Sequence, residues 1–104
     1  MITVHILYPN QPGGRFDMQY YCEKHMPMVK ARLGAACVGF TVDAGLAGGA
    51  PGQGAPYVAI GSLKCTSVEA FSAAMGQHGA EILGDIPNYT DAQPVLQVSE
   101  VKVG

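Results

Sequence analysis

The chain has 104 residues, a length that suits one domain and leaves no room for a second core. Apolar residues make up 48% and charged residues only 13% of it, so little of the surface can be ionic, and we expect another subunit to cover part of it. The formal net charge is −2 and no stretch is rich in Lys and Arg, which argues against nucleic acid as a partner.

The sequence shows neither a basic, apolar leader nor an apolar stretch long enough to cross a bilayer, so we expect a cytoplasmic protein that does not insert into membranes. Cys22, Cys37 and Cys65 are odd in number and far apart, which predicts free and mostly buried thiols. The three histidines lack the i, i+4 spacing of a zinc site, and no metal or other cofactor is expected.

The first elements are a strand and a helix. Ile2, Val4 and Ile6 alternate with Thr3, His5 and Leu7, as in a strand whose two faces meet different neighbours. Asp17 is the predicted N-cap of the helix, with Phe16 packing on Tyr21 as a hydrophobic staple. Pro27 cannot donate a backbone hydrogen bond, which predicts a kink or restart there before the helix ends near Gly34.

Two further strands follow, over residues 38–42 and 57–65, where β-branched residues recur with a period of two. Residues 45–56 between them contain five Gly and two Pro. Such a segment buries little apolar surface, so we predict a mobile hairpin loop within a single domain of residues 1–104.

Thr66 and Glu69 have the spacing of a capping box, and apolar residues follow at helical intervals, which predicts a second helix. Gly76 and Gly79 are expected to interrupt this helix before a short helical piece over residues 80–83.

The last strand is predicted over residues 95–103, which gives the order βαββαβ. The predicted fold is therefore α+β and ferredoxin-like, with a four-stranded antiparallel sheet and both helices on one face. Because the terminal strands carry apolar residues on both faces, the uncovered face would be apolar, and we expect it to form a homodimer.

Several short segments resemble the EthD family, and the likeness covers nearly the whole chain. They are Tyr8-Pro9-Asn10, Phe16-Asp17, Tyr20-Tyr21, His25-Met26-Pro27, Gly84-Asp85-Ile86-Pro87-Asn88-Tyr89 and Pro94-Val95-Leu96-Gln97-Val98. The His25-Met26-Pro27 step and the turn around Asp85 are the most specific of these segments.

The resemblance implies a dimeric α+β barrel with a pocket between sheet and helices, in which a histidine often acts as acid or base. The family takes its name from a small protein encoded beside a cytochrome P450 system that degrades ethyl tert-butyl ether. The wider superfamily includes cofactor-free monooxygenases, isomerases and polyketide cyclases, so any activity would be of the oxidoreductase, cyclase or isomerase kind.

His25 is the first candidate for chemistry, because it lies beside the predicted helix break over the sheet. A neutral imidazole there could remove a proton from a phenol or an acidic C–H group, while Tyr20 and Tyr21 hold the oxyanion. The alternative is a histidine that serves only the helix kink.

Asp85 is the second catalytic candidate, since its carboxylate could orient His25, although a local turn or capping role is the commoner one for such a residue. Asn88 has the same ambiguity, and Tyr8 completes the predicted substrate-binding set with Tyr20 and Tyr21. His5 belongs either under the helices or in the dimer interface, and we expect it to be buried and hydrogen-bonded.

Two functions are compatible with these residues. The first is a small homodimeric protein that takes part in the degradation or oxidation of a small organic compound, bound in an apolar pocket beside His25. The second is a non-catalytic protein that carries an apolar metabolite to a partner monooxygenase or protects that partner.

Overall fold

A computed structural model describes residues 1–104, and its elements follow the predicted order. The strands are β1 (Ile2–Pro9), β2 (Cys37–Ala44), β3 (Tyr57–Cys65) and β4 (Val95–Glu100), and the α-helices are α1 (Met18–Tyr20), α2 (Met26–Leu33) and α3 (Val68–Gly84). A π-helical turn, Tyr21–His25, joins α1 to α2, and 3₁₀ turns occupy Gly34–Ala36 and Ile86–Asn88.

The four strands form one antiparallel sheet in the order β2-β3-β1-β4, and the helices lie on one of its faces, so the predicted ferredoxin-like fold is confirmed. Val4 lies opposite Leu63, and both are buried beneath the helices with Met26, Val29 and other core residues. β1 and β3 are the central strands, so side chains on their helix-facing side reach the interior of the domain.

The first helical region begins and bends where the sequence predicts. The Asp17 carboxylate accepts a hydrogen bond from the Tyr20 amide, and the rings of Phe16 and Tyr21 lie 5.1 Å apart. Before Pro27 the helix widens into the π turn, in which the Met26 amide donates to the Tyr21 carbonyl five residues earlier. The expected irregularity is therefore a π turn rather than a break.

The second helix differs from its prediction in two ways. α3 continues from Val68 to Gly84 without interruption, since Gly76 and Gly79 lower helix propensity by only about 1 kcal/mol each and the packed helix tolerates them. Its N-cap is Ser67, whose hydroxyl accepts from the Ala70 amide, and not Thr66.

The opposite face of the sheet, which we call the open face, is bare in a single chain. Leu7 lies opposite Ile60 and Val95 on this face, and His5 lies opposite Ser62 and Gln97. His5 is therefore outside the helix-covered core, and it is half-buried and forms no side-chain hydrogen bond, although a buried, bonded histidine was the expected state. β4 ends at Glu100, three residues before its predicted end.

Residues 45–56 connect β2 to β3 as a mostly exposed hairpin loop. The Gly48 amide donates to the Gln53 carbonyl at 2.8 Å, and the Asn10 amide donates to the Pro56 carbonyl at 3.0 Å. The mobility of this loop stays a prediction. None of the helices combines the length and the apolarity that crossing a bilayer would require.

Candidate active site

The two residues predicted to carry chemistry meet in the folded chain. His25 is the last residue of the π turn, and Asp85 directly follows α3, sixty positions later in the sequence. The His25 Nδ1 atom lies 2.8 Å from the Asp85 Oδ2 atom. The segment that carries Asp85 is held against the first helix, since the Asp17 amide donates to the Tyr89 carbonyl at 2.7 Å.

Asp85 is the centre of a small polar network. Its Oδ1 atom accepts hydrogen bonds from the Tyr20 hydroxyl at 2.6 Å and from the Asn88 side-chain amide at 2.9 Å, while Oδ2 contacts His25. Its carboxylate makes no capping bond to a backbone amide of the 3₁₀ turn that follows, and its local bond within that turn is the one to the Asn88 side chain. Partial burial raises the pKa of Asp85, but the donors Tyr20, Asn88 and His25 outweigh it and leave a lowered pKa.

The protonation of His25 follows from its surroundings. Burial lowers its pKa, and the hydrogen bond to Asp85 offsets this only in part, so the imidazole is neutral at pH 7. An ionised Asp85 can only accept, which places the imidazole proton on Nδ1 and the free lone pair on Nε2. The Nε2 atom has no hydrogen-bond partner in the chain. This is the protonation state that a general base requires.

Aromatic rings surround the histidine. Tyr21 stacks on the imidazole at 5.6 Å with an interplanar angle of 15°, and the Tyr89 ring lies 4.6 Å from it. The hydroxyls of Tyr8 and Tyr89 share a hydrogen bond of 2.6 Å. The Tyr21 hydroxyl is completely enclosed and has no hydrogen-bond partner, and it lies over Gly61. Burial raises the pKa of Tyr8, Tyr21 and Tyr89, so all three phenols are neutral.

A small cavity of about 40 Å³ lies between the helices and the sheet. Its walls are almost entirely apolar, and the polar side chains among them are His25 and Tyr8. An open groove of about 570 Å³, which we call the outer groove, adjoins the cavity. The two spaces share four lining residues, namely Leu83, Ile86, Pro94 and Leu96.

A polar cleft of about 170 Å³ beside Arg15 shares Thr90, Asp91 and Ala92 with the outer groove and contains none of the six predicted site residues. The structure has no group of three or more His, Cys, Asp or Glu side chains placed to hold a metal ion.

The six predicted site residues thus occupy two layers. His25 and Tyr8 line the cavity, whereas Asp85, Tyr20 and Asn88 form the network behind the histidine. Tyr21 supports the imidazole by stacking on it. The substrate-binding roles of the tyrosines and of Asn88 stay predictions.

Sequence reasoning missed Tyr89 and Gly61, for different reasons. Tyr89 directly follows the Asp85–Asn88 segment, so its position beside a candidate residue was a usable signal. Gly61 is a single glycine inside a strand, a pattern that can mark close approach of another group but does not identify that group.

The comparisons with known proteins agree with this fold. The model of the EthD domain matches residues 15–93, which include the whole His25–Asp85 network. The chain belongs to the EthD family. No protein of curated function matches this EthD-family chain.

Solved structures of related proteins extend the likeness to the whole domain. This EthD-family chain is 60% identical to an EthD-like protein from Ralstonia eutropha JMP134, with a TM-score of 0.94 over 98% of this chain and 92% of that one. An EthD family protein from Bacillus halodurans C-125 is 18% identical, with a TM-score of 0.73 over 97% and 98% of the two chains. HapK from Hahella chejuensis is 15% identical, with a TM-score of 0.61 over 100% and 96%, and shares the fold.

Proposed function

We propose that this protein is a small enzyme that takes part in the degradation or oxidation of a small organic compound, with His25 as its general base. The observation that carries the proposal is the Nδ1 hydrogen bond of His25 to Asp85, which leaves an unpaired Nε2 lone pair on a residue that lines an apolar cavity. Catalytic bases are commonly placed in this way, with a carboxylate that orients the ring.

The proposed step is a proton transfer. Nε2 forms an N–H bond while the O–H bond of a phenol or the C–H bond next to a carbonyl breaks, and the electron pair stays on the substrate as a phenolate or enolate. The resulting imidazolium is stabilised by Asp85 at 2.8 Å. Tyr8 lines the cavity and can accept from Tyr89, so its own proton is free to stabilise the oxyanion.

Exchange of acidic protons in D₂O tests this step without knowledge of the natural substrate. The neutral, apolar ketone 2-tetralone should exchange its α-protons faster with the protein than in buffer, as followed by proton NMR. His25→Ala should remove the acceleration, and general bases typically contribute about 10²- to 10⁴-fold. Asp85→Asn should reduce the acceleration in part and shift the pH dependence of the exchange rate.

His78→Ala is the matched control, because His78 lies on α3 and lines neither the cavity nor the outer groove. It should exchange the ketone as fast as the wild type. Equal rates for the wild type and His25→Ala, with both proteins folded, would contradict the proposal.

A non-catalytic carrier is the second candidate, and the almost wholly apolar walls of the cavity favour it. Retention of an apolar ligand without any proton exchange would support a carrier or accessory protein. In that role the protein would deliver its ligand to a partner monooxygenase or protect that partner.

We also propose that two copies pair through the open face of the sheet. The row formed by Leu7, Ile60 and Val95 is apolar, and in a single chain Val95 is exposed while Leu7 and Ile60 are half-buried. Pairing of two such faces would remove this row from water and give the barrel that the family resemblance implies.

A further inference from the structure

The cavity beside His25 is too small for a whole substrate. Its volume of about 40 Å³ is a small fraction of the volume that ligand sites usually have. Ligand sites usually measure about 300–1,000 Å³, and the outer groove, at about 570 Å³, falls within that range. A ligand that reaches His25 must therefore leave most of its volume in the groove.

The rim between the two spaces is apolar and open. Leu83 on α3 and Leu96 on β4 line both spaces, and they are 54% and 50% exposed. Such half-exposed leucines lose contact with water when a flat apolar group lies between them. This rim gives one continuous binding surface from solvent to the imidazole.

The charge of the lining residues restricts the ligand further. No Lys or Arg lines the cavity or the outer groove, and the one carboxylate among the lining residues is that of Asp91. The Arg15 guanidinium is exposed and lines the neighbouring polar cleft rather than the groove, and it donates to the Pro87 carbonyl at 2.6 Å. An anionic ligand would lose its hydration here without gaining a cationic partner.

We infer that the cavity and the outer groove together bind one neutral, largely apolar organic molecule, whose weakly acidic end enters the cavity while its larger part lies in the groove. The assignment of the acidic end rests on the proposed function of His25. The site and its preference for neutral ligands rest only on the volumes and the lining residues. Carboxylates, phosphates and phosphorylated cofactors should bind more weakly, because no Lys or Arg is among the lining residues.

Two fluorescent probes with the same ring system test the charge preference. N-phenyl-1-naphthylamine is neutral, and 8-anilino-1-naphthalenesulfonate carries one negative charge on the same rings. The neutral probe should bind at least about tenfold more tightly, a ratio that corresponds to about 1.4 kcal/mol. Leu83→Arg, which adds a cation at the rim, should narrow or reverse the ratio. Equal affinities in the wild type would overturn the preference for neutral ligands.

Bulky substitutions test the location. Leu96→Trp should fill the outer groove and weaken binding of the neutral probe at least tenfold, and Leu83→Trp should do the same from the opposite wall. Val68→Trp is the matched control, because Val68 is 46% exposed on α3 and lines neither space. Unchanged binding in both groove variants, with native circular dichroism, would show that the groove is not the site.

His25→Ala separates this inference from the proposed function. It should lose the exchange of 2-tetralone, whereas Leu96→Trp and Leu83→Trp should still weaken binding of the neutral probe in the His25→Ala background. If His25→Ala loses the exchange while Leu96→Trp and Leu83→Trp bind the neutral probe like the wild type, only the inference about the groove is contradicted. If Leu96→Trp and Leu83→Trp weaken probe binding but the wild type does not exchange 2-tetralone, only the proposal that His25 is a general base is contradicted.

Discussion

A single glycine sets the position of the ring beside the candidate base. Tyr21 is fully buried, and its hydroxyl lies over Gly61 of β3 at a point where a Cβ atom would overlap it. The same added atom would lie 3.3 Å from the Met26 side chain. The missing side chain at position 61 therefore lets Tyr21 reach the depth at which it stacks on His25.

Gly61→Ala should lower the free energy of unfolding by about 1–3 kcal/mol, the usual cost of overpacking a core. Gly39→Ala is the matched control, because Gly39 also lies in a strand and an added Cβ would meet no atom within 4 Å. Urea unfolding measures both variants. Equal stability of the two would contradict the close contact between Tyr21 and Gly61.

Acidification should destabilise the fold in two stages. Burial depresses the pKa of His25 below its ordinary 6.5, so the unfolded chain binds a proton where the folded chain does not, and stability falls as the pH drops from about 6.5 through the folded pKa. The depressed pKa of Asp85 gives stability that is present above its ordinary 3.8 and is lost as the pH falls through its folded value.

The urea midpoint as a function of pH measures both stages. His25→Ala should remove the upper stage, and His78→Ala should retain it. If His25→Ala still loses stability as the pH falls below about 6.5, a group other than His25 is responsible for that loss.

At the scale of elements, the helices show how packing modifies a local signal. Pro27 cannot complete the regular pattern of the first helix, yet the chain continues through a π turn because Tyr21 and Met26 on either side are buried. In α3, burial of Ile82 and contact with the core through Phe71 and Met75 extend the helix past its glycines.

The N-cap of α3 gives a direct test at this scale. Ser67→Ala should lower the free energy of unfolding by about 1 kcal/mol, because the Ala70 amide loses its acceptor. Thr66→Ala should change it by only a few tenths of that amount, since the Thr66 side chain is exposed and makes no capping bond. Thermal unfolding of the two variants measures the difference. A larger loss of stability in Thr66→Ala than in Ser67→Ala would show that Thr66 is the N-cap.

At the scale of the whole molecule, the sheet has one covered and one bare face. The helices pack on the side of Val4 and Leu63, while Leu7, Ile60 and Val95 lie on the other side. This asymmetry is the physical basis of the proposed homodimer.

Sedimentation should show a dimer at micromolar concentration and a monomer for Ile60→Lys, since a buried unpaired charge would be placed in the interface. Val68→Lys, on an exposed site of α3 away from the open face, should stay dimeric. A wild-type protein that sediments as a monomer would contradict the pairing.

Local sequence signals predicted much of this architecture. The period of two located the strands, and β3 has the predicted bounds, because alternation is a property of the strand itself. Asp17 and Pro27 marked the start and the irregularity of the first helix, since capping and the missing proline amide act within one turn. The spacing of Thr66 to Glu69 predicted the wrong cap for α3, because the folded helix begins one residue later and is capped by Ser67.

The sequence by itself determined the order of elements, the α+β class and His25 as the residue to test. Only the tertiary structure decided that Asp85 contacts His25, that Tyr21 rests on Gly61 and that Leu83 faces the same groove as Leu96. Each of these pairs joins residues on separate elements, and their separation in space depends on how the helices pack on the sheet. Local periodicity carries no information on that packing, which is why the site emerged only from the folded chain.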